Sequence, residues 1–235
     1  IIRPNAAAVL EEQAIQVNAN PNYVPERSGY VVVKDWEQEA CFILAFWALS
    51  LMGYKAMLTV RERNILMMDL IPLNQGTSIL PEDTREYSRP IQALPDDQRS
   101  FLLPRALLTA LHRFRSTRNI QDVSSSVRAI CESESERLDS ELSMMRFIAW
   151  AIPSIGFLGT VRGIGQALGQ AHKAVQGDIA GVTQSLGVAF NSTFVALLIS
   201  IVVMFLMHRL QLVQERIVLD TEDYCDTRLI QNLQS

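Results

Sequence analysis

Four uncharged polar side chains, Thr160, Asn191, Ser192 and Thr193, interrupt long apolar stretches of the sequence, and Ser200 follows deeper in the second of them. The chemistry open to such groups is hydrogen bonding. A lone hydroxyl can satisfy itself on a carbonyl of its own helix, but an amide facing hydrocarbon has no such easy partner. The four together point to a polar seam turned toward a lumen or a buried partner. Around Thr160 the sequence reads SIGFLGTVRGIG, residues 154–165, with glycines every two to four positions. A phosphate-cradling loop needs Gly-x4-Gly-Lys-Ser/Thr, or Gly-x-Gly-x-x-Gly between a strand and a helix. Neither that spacing nor that context is present. Instead Gly156, Gly159, Gly163 and the pair Gly165/Gly169 fall three or four apart, along one side of a helix. Such a face lets another backbone come close. Eight of the eleven glycines lie between Gly156 and Gly187, so the close approach is expected where this stretch meets the next one.

Other chemistries find little support. His112, His172 and His208 are scattered, with no cysteine or paired carboxylates beside them, and no nucleophile–base arrangement emerges. The acids of CESESERLDSE, residues 131–141, are expected to spread round a helix as a solvated face. Cys41, Cys131 and Cys225 fit neither a disulfide framework nor a metal-ligand spacing and read as unpaired thiols, one of them in a membrane helix. A net charge of −4 without a basic block argues against nucleic-acid binding. The chain is therefore expected to be no enzyme, with no catalytic residues, no cofactor and no metal.

The elements that must position the seam are three apolar segments. Hydrophobic residues make up 49% of the chain and charged ones 20%, which suits a membrane protein with a large aqueous part if the apolar residues cluster. Leu186 to Met207 is a run of 22 residues without a charge, closed by His208 and Arg209, and long enough to span a bilayer. Phe147 to Val161 is uncharged for 15 residues, and spans only if Arg162 reaches water, a lumen or the interface, allowing the segment to run to Leu168. Arg162 is accordingly expected to face water or a protein partner near the membrane edge. Ala40 to Tyr54 extends by snorkelling through Lys55 to Val60, with Trp36 as an interfacial aromatic. Apart from Arg162, no Asp, Glu, His or Lys lies deep in these segments. A proton carrier ordinarily needs a titratable group within the membrane, so a carboxylate-based path would have to be completed by another subunit.

The expected fold is an all-α membrane protein with three transmembrane helices, the second and third extended into a cytoplasmic helical bundle. The parts are an extracytoplasmic segment (1–35), the first span (36–60), a cytoplasmic helical region (61–145), the second span (146–168), a short outer connection (169–185), the third span (186–207) and a cytoplasmic C-terminal helix (208–235). Residues 1–35 combine an alanine-rich, potentially helical patch with a turn-rich linker. The connection between the first two spans carries 13 of the 21 Lys and Arg residues, which favours the cytoplasm and puts the N-terminus outside and the C-terminus inside. Five of nine prolines fall in 72–104, an irregular connection with short helices. From Ile120 onward Val123, Val127, Ile130, Leu138, Leu142 and Met145 form one stripe with no breaker before Pro153, so a single helix should rise into the second span. Leu210, Val213, Ile217 and Tyr224 mark a matching stripe after the third. Both stripes suit bundle packing.

IPSIGFLGTVRGIGQAL, followed by GVAFNSTFVALLISIVVMFL, resembles the MotA/TolQ/ExbB proton-channel family, over roughly Glu132 to Arg209. The three-span layout with a large insertion after the first span resembles the ExbB/TolQ branch. That resemblance implies a homopentamer in the bacterial inner membrane around two single-span partners of the ExbD/TolR/MotB kind, each carrying the membrane aspartate that takes up the ion. Proton or sodium flow would turn the pentamer about the partner pair and do work on the cell envelope. Thr160 sits at the family's second-span threonine, and Ser192 and Thr193 resemble its third-span path hydroxyls, so Thr160, Asn191, Ser192 and Thr193 are the expected ion-path lining. Gln184 stands where many relatives have glutamate, and Arg162 where an aromatic is frequent. The alternative is a non-conducting membrane scaffold whose glycines serve packing alone.

Overall fold

The structure is a computed structural model that describes residues 8–9, 11–12, 15–16, 35–71, 78–177 and 179–234. Most of the 1–35 segment, including its turn-rich linker, lies outside the described residues; those described before residue 35 are helical. Seven α-helices follow among the described residues from Trp36 on: α1 (Trp36–Leu66), α2 (Thr84–Gln92), α3 (Asp96–Arg99), α4 (Leu102–Thr117), α5 (Ile120–Gly169), α6 (Ala171–Val175) and α7 (Ala180–Tyr224). A π turn at Cys225–Leu229 and a 3-10 turn at Ile230–Asn232 close the chain. No strand forms among the described residues, only an isolated bridge between Ile79 and Leu233. Three helices, α1, α5 and the one that includes α7, are long and apolar enough to cross a membrane. The protein is an all-α membrane protein. It divides into two compact units, Ile1–Leu51 with Met145–Leu206, and Met52–Met144 with Met207–Ser235.

The first unit holds parts of α1, α5 and α7, and its pattern is that of a membrane bundle. Small residues fill the interior: Cys41, Ala45, Ala48, Ala149, Ala189 and Ala196 are all buried. Large ones face outward, among them Phe46, Trp47, Trp150, Phe157, Phe194 and Phe205. In water that arrangement would leave an apolar surface with nothing to cover it; in lipid it is the expected one, since small residues let helices approach and the tails solvate the rest. Helix α5 runs unbroken through Pro153. Proline has no N–H to give the carbonyl four residues back, and the carbonyl left over is that of Ala149. Ser200 of α7 donates its hydroxyl to that oxygen at 3.0 Å. A neighbouring hydroxyl thus replaces the missing backbone donor, which is how membrane helices tolerate proline. Helix α7 begins at Ala180, six residues before the span expected from Leu186, because the uncharged stretch between them holds no proline to break a helix.

The second unit is packed around α4. Leu103, Leu107, Leu111 and Phe114 are fully buried, against Ile91 of α2, Val123 and Val127 of α5, and Val218, Cys225 and Leu229. Those last residues continue the apolar stripe seen at Leu210 and Ile217, both buried. Helix α4 has no capping side chain at Phe101; the Glu62 carboxylate accepts the Leu102 N–H at 2.7 Å instead. Burial pushes the Glu62 carboxyl up, with that hydrogen bond opposing. The acidic run 131–141 is not uniformly solvated. Glu132 and Glu136 are exposed, but Glu134 is only 4% exposed. It accepts from Arg105 Nη2 at 2.6 Å and from Arg137 Nε at 3.1 Å. Burial pushes its carboxyl up, but the hydrogen bonds from Arg137 and Arg105 outweigh this and hold it below the usual carboxylate value. The reason is helical period: Glu134 follows Val127 and Cys131 on the inward face. Lys55 also pairs with Glu141. All three cysteines are free and buried, and no metal-binding cluster occurs among the described residues.

Candidate functional site

Helices α5 and α7 of the first unit meet through the glycine face. A Cβ at Gly163 would lie 2.6 Å from Ala189 Cβ, 3.0 Å from Ala189 Cα and 3.0 Å from the Ser185 carbonyl oxygen. At Gly159 it would lie 2.7 Å from Ser192 Cβ, and at Gly156 it would overlap Ala196 Cβ. Ordinary carbon contacts are 3.5–4.0 Å, so only glycine fits this approach. At Gly165 and Gly169 an added Cβ would meet nothing within 4 Å. The close-packed face within this chain therefore ends at Gly163.

Where the two backbones touch, hydroxyls cross between them. Thr160 Oγ1 donates to the Ala189 carbonyl at 3.2 Å, Thr193 Oγ1 donates to the Gly156 carbonyl at 2.9 Å, and the two hydroxyls are hydrogen-bonded to each other. Each hydroxyl carries one proton, so two protons serve three contacts. The pair is thus a short chain that can be polarised in either direction between the two carbonyls. Ser192 is buried at 1% exposure beneath Gly159, and its hydroxyl donates to its own helix at the Val188 carbonyl, 3.2 Å away. Asn191 is half-buried and makes no side-chain hydrogen bond among the described residues. Of the four expected seam residues, then, Thr160 and Thr193 are joined, Ser192 packs beside them, and Asn191 stands apart.

A fifth group was not anticipated. Glu37 is 1% exposed and sits on the other side of Gly159, whose added Cβ would be 3.5 Å from Glu37 Cγ. Its Oε1 lies 2.6 Å from Arg162 Nε, and its Oε2 accepts from Arg162 Nη2 at 3.0 Å. Arg162 also reaches Asp35, 3.5 Å away. Arg162 therefore faces two carboxylates of its own chain, with a third of its side chain left exposed. Asp35 opens α1: its carbonyl accepts the Gln38 and Glu39 N–H groups at 3.2 Å, and Gln38 Oε1 accepts the Asp35 N–H at 2.9 Å. Only the Gln38 half of a capping box is made, and the Asp35 carboxylate is turned to Arg162 instead. The signal for Glu37 was present in the sequence. Glu37, Cys41, Ala45, Ala48 and Met52 recur at helical spacing and are all buried; a count of charges within the apolar run alone, which begins at Ala40, passes over it.

A family model described as the MotA/TolQ/ExbB proton channel family matches residues 99–223, more than half of the chain. The chain belongs to this proton channel family. It is a multi-pass membrane protein with a proton-channel-type role. The match takes in both helices of the glycine face and the threonine pair, and starts after α1, so Glu37 lies outside the part that defines MotA/TolQ/ExbB membership. Comparison with curated proteins and with solved structures gave no match.

Proposed function

We propose that this chain is the ion-conducting subunit of a membrane motor, and that the ion passes along the Thr160–Thr193 hydroxyl pair. The observation that carries the reading is that pair: two hydroxyls bonded to each other and to the facing backbones, between two glycine-packed helices of a proton-channel family member. At Gly156, Gly159 and Gly163 the two helices touch too closely for an added methyl, and the polar atoms offered beside that contact are the hydroxyl oxygens of Thr160, Thr193 and Ser192. Ser192 and Asn191 complete the lining, and the unbonded amide of Asn191 is available to a second chain.

In this reading five copies assemble in the bacterial inner membrane, N-terminus outside and C-terminus in the cytoplasm, around single-span partners of the ExbD/TolR/MotB kind. The partner's membrane carboxylate carries the proton or sodium ion past the hydroxyls, and the pentamer turns. Gly165 and Gly169, open within one chain, then face neighbouring copies. The test is ion-driven flux in membrane vesicles from cells making the chain with and without its single-span partner. Flux that needs both chains and an intact partner carboxylate supports the motor; a chain that assembles and never conducts is a scaffold.

A further inference from the structure

Glu37 is a carboxylate in the first unit for which the hydroxyl path has no use. It is almost wholly buried, and both its oxygens face the Arg162 guanidinium, Oε1 at 2.6 Å from Nε and Oε2 at 3.0 Å from Nη2. Without the guanidinium the carboxylate would be a buried, unpaired charge, a strongly unfavourable arrangement that taking up a proton would relieve. Arg162 has somewhere to go. Asp35 is 3.5 Å from its Nη2 and more exposed than Glu37. Gly159 ties this cluster to the seam, with Glu37 on one side of it and Ser192 on the other, and Thr160 is the next residue along.

We propose that Glu37 is a proton-binding station of this chain, loaded and unloaded as Arg162 turns between Glu37 and Asp35. In loading, a hydronium ion gives its proton to a Glu37 carboxylate oxygen and leaves as water, while the guanidinium moves onto the Asp35 carboxylate. In unloading the O–H bond breaks, the proton passes to the membrane carboxylate of the single-span partner, and the guanidinium returns to the bared Glu37 carboxylate. The cluster carries one net negative charge unloaded and none loaded, so each turn of Arg162 moves one proton. The titratable and charged groups around Glu37 are Asp35 ahead of α1, Cys41 one turn on along α1, and Arg162 on α5; across Gly159, α7 places the Ser192 hydroxyl. A plain fastener between α1 and α5 would not need the second carboxylate.

The station rests on the ion-path reading, and the experiment separates the two. Proton flux is measured in vesicles containing the full chain with its single-span partner, and assembly is read by size-exclusion chromatography. E37Q/R162Q, which removes both charges together, should assemble and lose flux by about a hundredfold, the scale of a missing proton-transfer group. D35N leaves the buried pair intact and should slow flux and shift its pH dependence, which a fastener would not do. The charge swap E37R/R162E should assemble and stay silent. Native flux in E37Q/R162Q, in the swap or in D35N overturns the station. If T160V loses flux while E37Q/R162Q keeps it, the station falls and the hydroxyl path stands; if T160V also conducts normally, both fall.

Discussion

Gly163→Ala and Gly165→Ala are the same chemical change two residues apart on one helix, and the structure gives them opposite outcomes. At Gly163 the new methyl would lie 2.6 Å from Ala189 Cβ and 3.0 Å from both Ala189 Cα and the Ser185 carbonyl oxygen. These atoms belong to or are fixed by the α7 backbone, so no side chain can turn away, and α5 and α7 must separate. Overpacking of this kind costs about 1–3 kcal/mol. It is offset by up to about 1 kcal/mol of helix propensity gained on replacing glycine. The net is destabilisation by roughly 0.5–2 kcal/mol, or about 2- to 30-fold in the unfolding equilibrium. Separation also stretches the Thr160–Ala189 and Thr193–Gly156 bonds, so ion flux should fall with stability. At Gly165 the methyl meets nothing within the chain. There the monomer should gain up to about 1 kcal/mol, and any loss would appear only in oligomer assembly. The assay is equilibrium unfolding of the purified full chain in mixed micelles, followed by tryptophan fluorescence, with oligomer size measured alongside. Equal tolerance of alanine at both positions would refute the glycine contact.

Three further outcomes are expected. Ser200→Ala should destabilise the chain by about 1–3 kcal/mol by orphaning the Ala149 carbonyl, yet have little effect in a Pro153→Ala background, where the restored N–H takes that carbonyl; additive losses in the same unfolding assay would refute the repair. Glu134 has its carboxyl held below the usual value in the fold, so its contribution is present above the unfolded value of about 4 and is lost as pH falls through the lowered one. Glu134→Gln should therefore cost roughly 1–3 kcal/mol at pH 7 and weaken the acid-induced fall in melting temperature; an unchanged acid limb would contradict this. Glu62→Ala should loosen the start of α4, read as faster amide exchange at Leu102 and the residues after it.

Much of this was legible from residue spacing. An uncharged 22-residue run and glycines at three- and four-residue intervals determine a membrane helix and its packed face, and the long stripe from Ile120 to Met145 foretold α5 as one helix. Pro153 was the natural place to expect a break there. That it is none depends on Ser200, 47 residues away in sequence, a contact that no local pattern encodes. Two acids were misjudged for one shared reason. Glu37 was passed over because it precedes the apolar run, and Glu134 was read as solvated because it lies among exposed neighbours. Both fall on the buried stripe of their helices, and both are neutralised by arginines brought in from elsewhere in the fold. A charge's position relative to the helical period was more informative than its distance from an apolar segment. Gly165 and Gly169 show the converse: their spacing continues the ladder, but α7 no longer lies against them.

The most direct test of the ion path is flux through the assembled complex with Thr160 replaced in turn by serine and valine. Serine keeps the hydroxyl and loses a methyl; valine keeps the shape and loses the hydroxyl. Thr160→Ser is expected to retain most of the flux and Thr160→Val to abolish it, with both complexes assembling normally. Conduction by the valine variant at the native rate would mean that the Thr160–Thr193 pair does not carry the ion.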